Sequence, residues 1–245
     1  MNIYTKTNTC YVPIMTTHDI DAFKPIATVD LAIFSLSPAG LSVLLVRRAN
    51  APFTGDRALP GGWIHIDEDA DLEAAARRLL KEKTGVEAPY LEQLQTTGNR
   101  DRDPRGWSIS IVYIALLSAD DVAERQEAMA EDAEWRPIEG DGVGLSLAFD
   151  HASLLKEALG RIRSKVEYSS LPGHLLPVRF TLSELQSVYE SLLGRKLDKS
   201  AFRKRMAEAD FLEPIEGEMR RASNRPAQVF RLRDTRSLVL FDRRI

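Results

Sequence analysis

The chain has a single cysteine, Cys10, in 245 residues. No internal disulfide can form, and that usage fits a reducing cytoplasm. It has no apolar run near the ~20 residues of a membrane-crossing helix, so no membrane partner is expected. The first residues lack the basic-then-apolar order of a secretory leader. Basic charge is scarce early on: residues 1–150 carry 14 Lys and Arg against 24 Asp and Glu, while residues 151–245 carry 19 against 12. The net charge of −3 therefore conceals an acidic front and a basic back. The basic back is the part suited to meet a polyanion. With 44% hydrophobic and 28% charged residues, the composition is that of an ordinary folded chain of one large or two modest domains.

The strongest pattern lies in residues 61–86, GGWIHIDEDADLEAAARRLLKEKTGV. It reads as a strand end, a Gly-Gly turn, an acidic loop and an amphipathic helix. Asp71 is placed to cap that helix, and Leu72, Ala75, Ala76, Leu79 and Leu80 form one apolar stripe. Gly85 sits where a left-handed stop residue belongs. Two β-rich runs precede it, at 27–36 and 41–46, joined by a Ser-Pro-Ala-Gly turn and followed at once by Arg47 and Arg48. Strand patterns follow at 91–97, 108–117 and 133–138, and the first two flank a turn-rich loop holding Arg100, Arg102, Arg105 and Trp107. Residues 147–151 open a helix capped by Asp150, with Leu154, Leu155, Ala158, Leu159, Ile162 and Val166 on one face.

The segment resembles a Nudix box that has lost parts. In that pattern the second half reads Arg-Glu-apolar-any-Glu-Glu-any-Gly-apolar. Here Arg78, Leu80, Glu82, Gly85 and Val86 keep the frame, while Leu79 and Lys83 stand where two of the three glutamates belong. Fifteen residues separate Gly62 from Arg78, two more than the pattern has. Nudix enzymes cut a diphosphate with magnesium, a hard ion that wants several carboxylate oxygens. One glutamate beside an ammonium is a poor ligand set, so hydrolysis should be lost or feeble and no metal or cofactor is required. Arg78 and Glu82 are the residue of the catalytic machinery. Glu68, Asp69 or Glu73 remain as substitute ligands in a rearranged site, and Mg2+ would matter only then. The loop Asp-Pro-Arg-Gly-Trp resembles Nudix proteins that handle ADP-ribose. Arg47, Arg48, Arg100, Arg102 and Arg105 suit a diphosphate, because guanidinium forks match phosphate oxygens. Trp63 and Trp107 suit an adenine face or plain core or rim packing. His65 reads as a loop residue.

From about residue 172 a second unit begins. Residues 180–193 read as a helix with Thr181 and Glu184 forming a capping box, stopped by Gly194. A second helix at 199–209 has Phe202, Met206 and Ala209 inward, with Lys199, Ser200, Arg203 and Lys204 outward. Two strand patterns with a basic loop between them follow, the order of a winged helix-turn-helix. Lys199, Ser200, Arg203 and Lys204 would read DNA. Arg220, Arg221 and Arg225 on the wing would touch phosphates, and Thr181 and Ser183 would hold a phosphate at a helix N-terminus.

A disabled Nudix unit joined to a winged helix resembles the Nudix-related transcriptional regulators of NAD metabolism. The resemblance implies an α/β fold: a Nudix α/β/α sandwich with a mixed sheet, then a small α+β winged helix-turn-helix domain. The expected organisation is an arm at 1–24, a sensing domain at 25–168 and a DNA-binding domain at 169–245. It further implies a homodimeric repressor whose partners are double-stranded operator DNA and a nucleotide effector such as ADP-ribose. The rival expectations are a working ADP-ribose pyrophosphatase with an accessory domain, and a basic domain that docks RNA or protein.

Overall fold

The computed structural model describes residues 24–37, 40–87, 90–125, 127, 129–140, 146–221 and 226–245. Nearly all of the expected arm, the middle of the Ser-Pro-Ala-Gly turn and Arg225 lie outside these. Strands β1 (Ile26–Ser37) and β2 (Gly40–Arg47) form an antiparallel pair, with the short β3 (Arg57–Ala58) beside β2 and β4 (Gly61–Trp63) beside β1. Helix α1 (Leu72–Thr84) leads to β5 (Tyr90–Asn99) and β6 (Ser108–Leu117). A short helix α2 (Ala119–Glu124) precedes β7 (Ala133–Pro137), and α3 (His151–Val166) closes this part. The seven strands make one mixed sheet, β3-β2-β1-β6-β5, with β4 on β1 and β7 on β2. β1 and β6 run parallel, which needs a crossover, and α1 lies within it.

Alternation along the strands decides what covers each face. Val29, Leu31, Ile33, Leu44, Ile111, Tyr113 and Ala115 face α1, whose Ala75, Ala76, Leu79 and Leu80 are buried against them. Their neighbours Ala32, Phe34, Val43, Leu45, Val112, Ile114 and Leu116 face α3. This is the two-sided burial a sandwiched sheet requires. Asp71 caps α1, its Oδ1 accepting from Ala74 N–H at 2.8 Å, and Gly85 closes the helix at φ 71°. Leu72 departs from the expected stripe: it is 38% exposed.

The expected Gly-Gly turn is instead strand. Gly61 and Gly62 pair with Asp30 and Val29 in β4. A Cβ on Gly61 would lie 2.1 Å from Asp30 Oδ1 and 2.8 Å from the Val29 carbonyl; one on Gly62 would lie 2.8 Å from Leu79 Cδ2. The glycines serve close approach rather than a turn. The helix expected with Asp150 as its cap starts at His151, and Phe149 just before it takes φ 56°. Asp150 sits at the cap position but makes no capping bond; its carboxylate is taken by Arg102.

A 3-10 turn (Leu171–Leu175) leads into the second unit, which has β8 (Phe180–Thr181), α4 (Leu182–Leu193), α5 (Lys199–Ala209), β9 (Leu212–Arg220) and β10 (Ala227–Leu232). Phe180, expected inside the helix, pairs with β10 instead, as does Thr181. Thr181 and Glu184 form the capping box, and Gly194 ends α4 at φ 67°. Asp198 caps α5, and Phe202 and Met206 are buried beneath it, while Ala209 is only half-buried. The apolar core is continuous from the sheet through α3 to Leu185, Tyr189, Phe202 and Met206. Residues 239–245 fold back across the junction: Phe241 N–H bonds to the Tyr168 carbonyl and Ile245 N–H to that of Glu167, both at 2.7 Å. No helix among the described residues is long and apolar enough to cross a membrane.

Candidate functional site

A cavity of about 430 Å3 opens where β1, β2, β4, the end of α1 and the start of α3 meet. Arg47, Arg48, Trp63, Arg102 and Arg105 line it, together with Lys83, Asp132, Phe149 and His151. Arg100 and Trp107 do not; both stand exposed on the β5–β6 loop outside it. The arginines divide by role. Arg102 is buried and forks onto Asp150, at 3.0 Å from Nε and 2.9 Å from Nη2, so it fixes the wall. Arg47 and Arg48 donate to carbonyls of the 50–55 loop, Arg48 Nε to Pro52 at 2.8 Å. Arg105 is held by Asp103 at 2.7 Å.

Phe149 gathers the charge. The Arg48 guanidinium lies 4.5 Å from its ring centre and that of Arg105 lies 6.0 Å away; Arg105 is also 5.5 Å from the Trp63 ring. Cations over aromatic faces are stabilised by the ring quadrupole. Burial first, and then the nearby Arg105 charge, hold Arg48 below the ordinary arginine range. An anion between the two would relieve that repulsion. Behind them His151 is buried; its Nδ1 accepts from Leu59 N–H at 2.9 Å, and Nε2 lies 3.8 Å from Asp30 Oδ1. Desolvation pushes its pKa down, so it is a neutral wall residue at pH 7. Phe149, His151 and Asp132 were not among the expected ligand residues. The left-handed conformation that aims Phe149 into the cavity has no sequence signal in a non-glycine residue.

Magnesium does not fit the residues where Nudix chemistry places it. Leu79 is 4% exposed and packed in the core. Lys83 lines the cavity with its ammonium 3.4 Å from Asp132 Oδ2. Glu82 lies outside the cavity wall and bonds Arg78 at 3.0 Å. The possible substitutes are likewise engaged: Asp69 takes both Nε and Nη2 of Arg78 at 2.8 Å, Glu68 faces His65 at 3.2 Å and Glu73 faces Arg77 at 2.6 Å. The Arg78 fork pulls the Asp69 carboxyl down to about 2. Among the described residues no three His, Cys, Asp or Glu side chains converge as a metal site needs.

On the second unit, Lys199, Ser200 and Arg203 are exposed along α5, and Lys204 is exposed with Glu208 at 3.9 Å. Ser183 and Arg221 are also exposed. Two expected contacts are otherwise occupied. Thr181 is 5% exposed and its hydroxyl accepts from Glu184 N–H. Arg220 is drawn to Glu184 at 2.6 Å and to the Arg179 carbonyl, which ties the wing to the start of α4.

Residues 27–149 match the family described as NUDIX domain, and residues 172–232 match the NrtR DNA-binding winged helix domain. The chain is 44% identical over 208 residues to the ADPR responsive transcriptional repressor NtrR of Acinetobacter baylyi, spanning 85% of this chain and 82% of that protein. The chain belongs to the NrtR family. Shewanella oneidensis NrtR, solved in complex with a 27mer DNA, superposes with a TM-score of 0.82 at 42% identity, covering 89% of this chain and 99% of that one. The NUDIX domain of the same NrtR, solved with ADP ribose, matches with a TM-score of 0.50 at 39% identity over 60% of this chain and 99% of that one. The expected Nudix sandwich followed by a winged helix is the architecture of this family.

Proposed function

We propose that this chain is a DNA-binding transcriptional repressor whose Nudix pocket senses ADP-ribose without hydrolysing it. Membership of a family with a relative named as an ADPR responsive repressor supports the role. The observation that carries the sensing half is the cavity itself. It presents guanidinium groups beside Phe149 for a diphosphate and an aromatic base, yet holds Lys83 where a metal ligand would be needed. Two functional parts, divided near residue 168, follow from this reading: a sensor before it and a reader after it. In a homodimer, two copies of α5 would enter successive major grooves of a palindrome, with Lys199, Ser200, Arg203 and Lys204 at the bases and Ser183 and Arg221 at the backbone.

A gel-shift titration with the protein's own upstream promoter fragment tests this. A defined complex is expected on that fragment over random DNA, and ADP-ribose should weaken it with or without magnesium. Arg203→Ala should lower promoter affinity at least about tenfold, the scale of one good base contact, while leaving ADP-ribose binding intact. Magnesium-driven release of AMP from ADP-ribose, with indifference to promoter DNA, would instead make the chain a pyrophosphatase.

A further inference from the structure

We infer that Lys83 is the resident counter-ion of the pocket, taking the place of the divalent metal, and that the Lys83–Asp132 pair is an exchangeable latch opened by a diphosphate. The inference rests on the proposed ADP-ribose reading and names how that ligand's charge is met.

The geometry is specific. Lys83 lies in the last turn of α1 at the box position of a metal-binding glutamate, yet its side chain is only 24% exposed and lines the cavity. A cation on that wall beside Arg47, Arg48 and Arg105 is electrostatically unfavourable without an anion to face. Asp132, also on the cavity wall, supplies one at 3.4 Å, long for a charge-assisted bond. That loose pair is what an incoming diphosphate oxygen displaces: Lys83 exchanges carboxylate for phosphate, and Asp132 is released to solvent, where its side chain is already 39% exposed. A fixed ammonium also repels magnesium from the one glutamate of the box that remains, Glu82, one residue away. Asp132 has a second tie. Its backbone carbonyl accepts from Arg47 N–H at 2.8 Å, so release of its side chain is felt at the end of β2 as well as at the start of β7.

Calorimetric titration of the full chain tests this with two probes, ADP-ribose and inorganic diphosphate. ADP-ribose affinity should be the same within about twofold in EDTA and in millimolar magnesium. Lys83→Gln should weaken both probes at least about tenfold in EDTA, and Lys83→Arg should restore most of that. Asp132→Asn, which removes the competing carboxylate, should bind both more tightly than the parent chain. Thermal melts check that each variant is folded, and Lys83→Arg keeps the test decisive if the glutamine variant is not. Tenfold tighter ADP-ribose binding on adding magnesium, or unchanged binding in Lys83→Gln, overturns the inference. If ADP-ribose fails to bind while Lys83-dependent diphosphate binding persists, the effector reading falls and the counter-ion stands. Absence of binding by either probe removes both.

Discussion

At the scale of single residues, the pocket depends on how closely backbones approach behind it. Gly61 has no room for a methyl group: its Cβ would meet both Asp30 Oδ1 and the Val29 carbonyl of the paired strand. The side chain can turn away but the carbonyl cannot without breaking the β1–β4 register. Gly61→Ala should therefore destabilise the fold by about 1–3 kcal/mol, the usual range for overpacking a filled site. The expected readout is a lower urea midpoint with an unchanged denaturant slope; a midpoint equal to that of the parent chain would mean β4 is less tightly held than its contacts indicate. The residues of the pocket were legible in sequence to the extent that their chemistry was. Arg47, Arg48, Trp63, Arg102 and Arg105 declared themselves by type and by position at strand ends and loops. Arg102 misled as to role, because nothing local in the sequence says that Asp150, far along the chain, neutralises it. Arg100 and Trp107 misled as to place, because side-chain direction in a loop has no period to read.

At the scale of elements, the strands and helices were legible because amphipathic alternation and caps are local. α1 and α4 start and stop where Asp71, Gly85, Thr181 and Gly194 indicate, and α5 starts where Asp198 indicates. The 3-10 turn at Leu171–Leu175 was not, since its shape is set by what it packs against. That turn carries His174, which is 3% exposed, lies tilted against Tyr90 with ring centres 4.9 Å apart and, among the described residues, has no hydrogen-bond partner for either ring nitrogen. Desolvation lowers its pKa to about 4, with Asp234 and the Ser237 backbone opposing more weakly. The unfolded chain, with an ordinary histidine near 6.5, takes the proton first as pH falls. Stability from this group is thus complete above pH 6.5, declines as pH drops towards 4 and is lost below that. The decline should amount to roughly 3 kcal/mol. His174→Phe should flatten the stability profile across that window relative to the parent chain, measured by urea unfolding at intervals of pH. Parallel profiles would show that the ring is solvated in solution.

At the scale of the whole molecule, the question is how a pocket on the sheet reaches a basic helix in the second unit. α3 is the element that touches both. Its first residue, His151, walls the cavity, and its buried face joins the core shared with α4 and α5. Its outer side is pinned to β5 by one carboxylate: Glu92 accepts from Arg161 at 2.8 Å and Lys165 at 2.6 Å, and also from the Tyr90 hydroxyl. Burial works against the charge of Glu92, but Lys165, Tyr90 and Arg161 together hold its pKa below the ordinary range. If α3 moves as a rigid rod when ADP-ribose binds, this pin transmits the movement. Allosteric coupling of about 1–3 kcal/mol would appear as a roughly 5–150-fold loss of promoter affinity at saturating ADP-ribose. Linkage requires promoter DNA to weaken ADP-ribose binding by that same factor, which two independent titrations can check. Glu92→Gln keeps the shape of the pin and removes its charge. It should leave ADP-ribose affinity and ligand-free promoter affinity within about twofold of the parent, and shrink the coupling factor at least about threefold, some 0.7 kcal/mol. An undiminished factor would assign the transmission to the apolar face of α3 alone, where the pocket, the sheet and the DNA-facing helices already share one packed interior.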